Sequence, residues 1–276
     1  MKRETGRPKW EPRRPHPWLP RKAKTGIRHL LRAFLSAKDT ITGCSPAPLL
    51  LLAHIRSGST LLHHVLISHP EILGCGERMT YFSSESDFER LRLDAHLRRG
   101  QFLRCHRYVT DQLNHNVFLD SDLLLSRPDV RVIFLIRKPD AAIVSMDKLL
   151  DQIGWSSIDS ASRYYRERLS NLAALAVRIP ARSMAFSLTY DDLTTATANT
   201  LARLTDFLGL RMPLRDQYRI FDFTGIRGDP SPAIRRGHIH RSDVPPSQTR
   251  LDAVSRAELH DIYENCLQIL RRHCTY

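Results

Sequence analysis

The chain has 276 residues, which is enough for one large α/β domain or two small ones, and its 42% apolar and 26% charged residues are typical of a globular protein in water. The formal net charge of +13 indicates an anionic partner, without choosing among nucleic acid, a lipid surface and a phosphorylated small molecule. No apolar stretch approaches the roughly 20 residues of a membrane-spanning helix, and the basic N-terminus lacks the apolar segment of a secretory signal, so we expect a cytoplasmic protein.

The first predicted feature is a basic arm. Residues 1–26 contain five prolines and almost no aliphatic side chains. They cannot bury enough apolar surface to offset the entropy lost on ordering, so we expect them to be flexible. We expect residues 27–276 to form a single α/β domain.

Short apolar runs and longer stretches of helical period alternate along the rest of the chain. The predicted strands are 48–53, 130–136 and 183–190. The predicted helices are 27–37, 59–69, 88–99, 139 to about 151, 159–178, 198–210 and 255–273, and 224–250 is predicted as loop. Because buried strands alternate with helices, the sequence predicts a parallel sheet covered by helices on both faces.

The cysteines give no sign of a metal or disulfide framework. They are odd in number, widely spaced and contain no Cys-x-x-Cys pair: Cys44, Cys75, Cys105, Cys266 and Cys274. This pattern predicts five reduced thiols in a cytosolic compartment, with neither disulfides nor a zinc site.

A short polar segment interrupts the apolar sequence between the first predicted strand of the sheet and the helix after it. Amide groups at the start of a helix lack partners and attract phosphate or sulfate. Gly58 would let such an anion approach the backbone, Ser59 and Thr60 would add hydroxyl donors, and Arg56 could bind two oxygens. The alternative is a plain turn with Ser57 or Ser59 as the helix cap. The segment lacks the lysine of a Walker A loop, which disfavours a kinase.

A second candidate anion site follows the most strand-like run. Arg137 stands at the end of that strand, Pro139 starts the next helix, and Ser145 lies about two turns further on. Arg137 could also be an ordinary surface cation. Ligands of parallel α/β sheets bind at the carboxyl ends of the strands, so two anion sites on neighbouring strands would suit a molecule with two separated phosphates.

Together these segments resemble the sulfotransferases that use 3′-phosphoadenosine-5′-phosphosulfate (PAPS), in particular the bacterial and tyrosylprotein enzymes. The run from Arg56 to Leu62 is similar to the family's 5′-phosphosulfate loop. Arg137 and Ser145 match its 3′-phosphate motif, an arginine followed eight residues later by a serine. Tyr-Asp-Asp-Leu at 190–193, followed by a helix ending Phe-Leu-Gly-Leu, is similar to a later family segment.

The resemblance implies a P-loop-like three-layer sandwich with a central parallel sheet flanked by helices, and PAPS as co-substrate with no metal. The implied cofactor-binding residues are Arg56, Ser57, Gly58, Ser59, Thr60, Leu61, Arg137, Ser145 and Tyr190. A late basic segment is similar to the family's Arg-Lys-Gly loop and adds Arg235, Arg236 and Gly237. A solvated basic loop is the alternative for these three.

Transfer of a sulfuryl group to a hydroxyl needs a base for the proton and a cation for the leaving phosphate. The resemblance implies that Glu77, in a Gly-Glu pair after the first helix of the sheet, is the general base. It also leaves His106 and His115 open, because many cytosolic sulfotransferases use a histidine on the corresponding segment.

One position departs from the family pattern. Gln112 stands where related enzymes tend to carry a lysine. The cation that assists the leaving phosphate is therefore open among Arg56, Lys148 and His115.

The leading hypothesis is a PAPS-dependent sulfotransferase acting on a hydroxyl of a carbohydrate, glycolipid or other small molecule. The alternatives are a P-loop-type nucleotide or small-molecule kinase and a basic polyanion-binding protein. No helix-turn-helix, zinc-finger or aromatic RNA-binding motif is present, so we expect no specific nucleic-acid partner. The acceptor and the oligomeric state stay open at this point.

Overall fold

Five parallel strands form the centre of the molecule. The computed structural model describes residues 21–78, 81–119, 121–150, 155, 157–226, 228–240 and 251–276. The strands are β1 (Ala47–Ala53), β2 (Ile72–Gly74), β3 (Tyr108–Leu113), β4 (Arg131–Ile136) and β5 (Ala185–Thr189). Their order is β2-β3-β1-β4-β5, and every neighbouring pair is parallel. The predicted parallel sheet is confirmed.

Nine α-helices lie in the described part of the chain. They are α1 (Arg21–Thr42), α2 (Ser59–Ser68), α3 (Glu85–Arg99), α4 (Ser121–Leu125), α5 (Pro139–Asp147), α6 (Ile158–Arg178), α7 (Tyr190–Thr195), α8 (Thr197–Leu208) and α9 (Ala253–His273). The predicted loop at 224–250 contains a short 3₁₀ turn, Pro232–Arg236, and its residues 241–250 lie outside the described residues.

The sheet has a hydrophobic core on each face. Leu50 and Leu52 of β1 pack into a cluster with residues of α3, α5, α6 and α9. Leu49 and Leu51 point the other way and pack with residues of α2 and α8. A strand buried on both faces needs an unbroken apolar run, which is why β1 carries four consecutive leucines. The three-layer α/β sandwich is confirmed.

The sequence analysis did not predict two of the strands. β2 has only three residues, too few for a periodic signal. β3 contains Asp111 and Gln112, which are polar yet almost fully buried. Polar side chains inside a buried strand are costly unless they serve a purpose, and these two lie in the candidate site described below.

The N-terminal helix is longer than predicted. It starts at Arg21, so the last residues of the predicted arm, 21–26, are helical, as Lys and Ala residues after the final proline allow. The flexible arm remains a prediction for residues 1–20, which lie outside the described residues. In the described part of the chain, no helix is long and apolar enough to cross a membrane.

The cysteine prediction is wrong for one pair. Cys44 and Cys105 form a disulfide, with their Cα atoms 5.8 Å apart. Ala47 of β1 pairs with Tyr108 of β3, and each cysteine precedes its strand residue by three positions, so strand pairing brings the two together. Cys75, Cys266 and Cys274 are free and buried.

Candidate active site

The loop between β1 and α2 has a backbone suited to an anion. Gly58 caps α2 with a φ of 96°, and a Cβ atom at this position would lie 2.6 Å from Cδ2 of Tyr190. Only glycine can adopt this positive φ without strain and also leave room for the Tyr190 ring. Arg56 also has a positive φ, 65°, which is uncommon outside glycine and marks a locally strained turn. Ser59 and Thr60 follow as the buried first residues of α2, where helix amides are unpaired.

A buried histidine joins this loop to the end of β4. The Arg137 amide donates to Nε2 of His54 (2.9 Å), so the proton of the neutral ring lies on Nδ1, which donates to the carbonyl of Ile55 (2.8 Å). Burial lowers the pKa of His54 to about 3, and the ring stays neutral. His54 was missed by the sequence analysis, since a single histidine after an apolar strand carries no distinctive signal.

The two segments predicted to bind anions contact each other in the structure. Nε of Arg56 donates to Oγ of Ser145 (2.8 Å), and Nη1 of Arg137 donates to the carbonyl of Arg56 (3.1 Å). The Arg137 guanidinium lies 4.0 Å from the ring centre of Tyr190, a cation–π contact. Burial lowers the pKa of Arg137, and the nearby Arg56 charge adds to the effect. The adjacency of β1 and β4 therefore brings four of the predicted residues into one cleft.

An unpredicted carboxylate also reaches this cleft. Nη1 of Arg56 donates to Oδ1 of Asp229 (2.6 Å), and the Asp229 amide donates to Oγ1 of Thr60 (3.1 Å). Burial alone would raise the pKa of Asp229, but the Arg56 charge and hydrogen bonds outweigh it, and the pKa is lowered. An ionised carboxylate thus occupies one edge of the Arg56 guanidinium, as an oxyanion of a ligand would.

Glu77 lies beside the same helix start. Its Oε1 accepts a hydrogen bond from Nδ2 of Asn114 (3.0 Å), and its Oε2 accepts one from Nε2 of Gln112 (3.2 Å). Nε2 of Gln112 also lies 3.5 Å from Oγ1 of Thr60. Burial raises the pKa of Glu77, and the two amide donors only partly oppose it. The end of β3 therefore links Glu77, whose pKa is raised, to the loop between β1 and α2.

Comparison with known proteins shows a similarity to one family. The sequence model described as "Sulfotransferase family" matches residues 80–214. Over this part of the chain the protein is similar to sulfotransferases. The matched region contains Arg137, Ser145 and Tyr190, whereas the Arg56 loop and Glu77 precede it. No curated protein matches the chain.

Two solved structures share the fold of this protein. The sulfotransferase domain from the curacin biosynthetic pathway aligns with a TM-score of 0.53 and 16% identity, over 83% of this chain and 98% of that domain. The sulfotransferase domain of the Synechococcus PCC 7002 olefin synthase aligns with a TM-score of 0.50 and 18% identity, over 80% and 96% of the two chains. At these identities the likeness shows the fold alone.

A second carboxyl group lies near enough to Glu77 for their charges to interact. Asp111 of β3 is fully buried, and its Oδ1 accepts the Gln112 amide (2.9 Å). Burial raises the pKa of Asp111 to about 7, with a smaller contribution from the Glu77 charge, against the opposing charge of Arg78. The sequence analysis assigned no role to Asp111.

The two candidate histidines lie at opposite ends of β3. His115 follows the carboxyl end of the strand, with its ring 5.7 Å from that of Tyr164, and burial lowers its pKa to about 4. His106 precedes the strand, where Nε2 lies 3.1 Å from Oε1 of Gln101. The sheet thus places His115, but not His106, at the edge that holds Glu77.

The remaining predicted residues are distributed around the cleft. Ser57 is fully buried, and its Oγ has no hydrogen-bond partner among the described residues. Leu61 is half-buried against the core beneath α2. Lys148 is exposed at the end of α5.

Two residues that precede the late basic segment contact the start of α2. Gly228 and Asp229 contact Thr60. Arg235 and Arg236 are exposed on the 3₁₀ turn, and Gly237 ends that turn with a φ of 75°.

Proposed function

We propose that the protein is a sulfotransferase, which moves the sulfuryl group of PAPS to a hydroxyl of a carbohydrate or other small acceptor, with Glu77 as general base. The observation that carries the proposal is the closure of Arg56, Arg137, Ser145 and Tyr190 around one cleft at the ends of β1 and β4. The family supports sulfuryl transfer in general. The donor, the acceptor and the base are our proposal.

The cleft has the features that a bisphosphate donor requires. The left-handed Gly58 opens the backbone, Oγ of Ser57 is a buried hydroxyl without a partner among the described residues, and Arg56 already holds a carboxylate. We assign the 5′-phosphosulfate to Arg56 and the amides and hydroxyls of residues 57–60.

We assign the 3′-phosphate to Arg137 and Ser145, which contact Arg56 from the end of β4 and from α5. Tyr190 would flank the nucleotide, since its ring packs against both Arg137 and Gly58. Arg235, Arg236 and Gly237 stay proposed as further contacts to the 3′-phosphate.

The reaction then needs one proton acceptor and one stabilising cation. The acceptor oxygen forms a bond to sulfur as the bond from sulfur to the 5′-phosphate oxygen breaks, and the hydroxyl proton moves to Glu77. Gln112 and Asn114 hold both oxygens of that carboxylate in a fixed orientation. Gln112 is neutral, so Arg56 is the cation best placed to stabilise the leaving phosphate.

Calorimetry with adenosine 3′,5′-bisphosphate and with AMP tests the donor assignment. We expect the bisphosphate to bind at least about tenfold more tightly, since Arg137 and Ser145 would contact only its 3′-phosphate. Arg137→Ala is expected to remove this preference while leaving AMP binding nearly unchanged. Equal affinities of the unmodified protein for the two nucleotides would contradict the assignment.

Transfer of labelled sulfuryl groups from PAPS to a panel of hydroxyl compounds tests the reaction and the base. Glu77→Gln is expected to lower turnover by about 10²- to 10⁴-fold and to leave bisphosphate binding intact. Glu89→Gln, the same change at an exposed glutamate of α3, is the matched control and should retain turnover. Full activity of Glu77→Gln would rule out the base assignment without affecting the donor assignment.

A further inference from the structure

We infer that α1 and the basic loop beside it form a surface that binds an anionic membrane. The helix packs on the body of the protein along one side only. Leu35 is buried, and Arg28 and Asp39 form ion pairs with Asp94 (2.7 Å) and Arg92 of α3. These contacts hold α1 against α3 while the opposite side faces outward.

The outward side of α1 is apolar. Leu30 is 72% exposed, Phe34 42% and Ile41 84%. The exposed Ala37 completes a spacing of four, three and four residues, which places all of them along one stripe of the helix. A helix with an exposed apolar stripe and polar flanks fits the boundary between lipid headgroups and acyl chains.

The end of α3 and the loop after it, which contacts α1 through Lys38, present an exposed leucine and cations. Leu103 is 84% exposed, and the exposed Arg98, Arg104 and Arg107 surround it in sequence. Nζ of Lys38 on α1 donates to the Arg104 carbonyl (3.1 Å), which ties the loop to the helix. The chain from residue 95 to 110 carries no carboxylate side chain.

The sequence at the start of the chain, up to the first turns of α1, is also rich in cations and contains large apolar side chains. Residues 1–26 carry nine Lys and Arg against two Glu, together with two tryptophans. Basic segments next to an amphipathic helix are attracted by anionic lipid, and tryptophan favours the headgroup region. Charge and apolar exposure therefore coincide at one end of the chain.

This coincidence favours a bilayer over the other possible partners. A nucleic acid would bind the cations but would gain nothing from exposed leucines, which a phosphate backbone cannot cover. A second copy of the chain could cover the apolar stripe, but it would bring two basic arms of like charge together. An anionic bilayer accommodates both features at once.

Sedimentation of the full-length protein with vesicles tests the inference without using enzyme activity. One set of vesicles is neutral phosphatidylcholine, and the other contains roughly 30% phosphatidylserine. We expect binding to the anionic vesicles to be at least about tenfold stronger and to weaken with added salt. Equal binding to both sets, or none to either, would overturn the inference.

Matched variants locate the surface. Leu30→Glu with Ile41→Glu is expected to lower vesicle binding by about tenfold or more, and removal of residues 1–20 is expected to lower it further. Val177→Glu with Val254→Glu, which places the same charges on exposed apolar positions of α6 and α9, should bind as the unmodified protein does. Circular dichroism confirms that each variant is folded.

Two results would identify a different partner and overturn the inference. One is binding to a nucleic acid that persists in the Leu30 and Ile41 variant while vesicle binding is absent. The other is a dimer in light scattering that this variant converts to a monomer.

Discussion

Among single residues, Glu77 has the clearest consequence for activity. Burial raises its pKa above the ordinary value of 4.5, and a general base must be deprotonated to work. We therefore expect kcat/KM to fall as the pH is lowered through a value above 4.5. The pH profile of kcat/KM with PAPS measures this.

Removal of the hydrogen bond from Asn114 to Glu77 tests whether the acidic limb of that profile reports the charge of Glu77. Because this amide stabilises the ionised carboxylate, Asn114→Ala is expected to move the acidic limb to higher pH. Loss of activity with the limb unmoved would mean that Asn114 acts on something other than the charge of Glu77.

Asp111 is expected to set part of the pH dependence of stability. Burial raises its pKa from 3.8 to about 7, so between these values the folded protein holds a proton that the unfolded chain has released. The free energy of unfolding is therefore expected to fall as the pH rises from 3.8 to about 7, because the folded protein must then ionise a buried carboxyl group. Asp111→Asn, which is uncharged, is expected to raise the free energy of unfolding at pH 8 by about 1–3 kcal/mol and to change it little near pH 4.

Denaturant unfolding of the variant at both pH values measures this difference. Asp261→Asn, at an exposed position of α9, removes one carboxylate without a burial effect and serves as the control. An equal gain for Asp111→Asn at both pH values would show that the proton is not held in the folded state.

At the scale of elements, the turn from β1 into α2 depends on one glycine. Gly58 has a φ of 96° and lies against Tyr190, so Gly58→Ala introduces both backbone strain and a clash. We expect a loss of about 1–3 kcal/mol in the free energy of unfolding and weaker bisphosphate binding. Gly100→Ala is the matched control, because Gly100 has a φ of 62° with open space around it at the end of α3. Equal bisphosphate binding by the two variants would contradict a role of Gly58 in the cleft.

The elements also show where reasoning from sequence succeeds. β1, β4 and the helices after them are apolar runs followed by periodic stretches, and their predicted bounds agree with the structure within a few residues. β3 was missed because Asp111 and Gln112 give it the composition of a loop. A strand that carries site residues loses the alternation by which strands are recognised.

At the scale of the whole molecule, the disulfide links the end of α1 to the segment before β3. Cys44 and Cys105 enclose 61 positions of the chain, and closing a loop of this size typically stabilises a protein by about 2–4 kcal/mol. We expect Cys44→Ser to lower the free energy of unfolding by this amount in oxidising buffer. In reducing buffer the variant and the unmodified protein should unfold alike. A variant as stable as the unmodified protein in oxidising buffer would mean that the crosslink does not form.

The two cores share the five-stranded sheet as a common layer. Loss of either core would expose one face of β1, whose leucines alternate between them. This arrangement supports our proposal that residues 27–276 fold as a single domain.

The sequence by itself determined the features that are local in the chain. β1 and β4 with the helices that follow them, the Gly58 turn and the spacing from Arg137 to Ser145 each lie within one or two adjacent elements, where periodicity and backbone preference act directly. Only the tertiary structure decided which side chains meet across the fold. Asp229 reaches Arg56 over 173 positions, Asn114 reaches Glu77 over 37, and Cys44 reaches Cys105 over 61. These contacts arise because parallel strand pairing and a returning loop bring distant segments to the same place, and no local pattern records that.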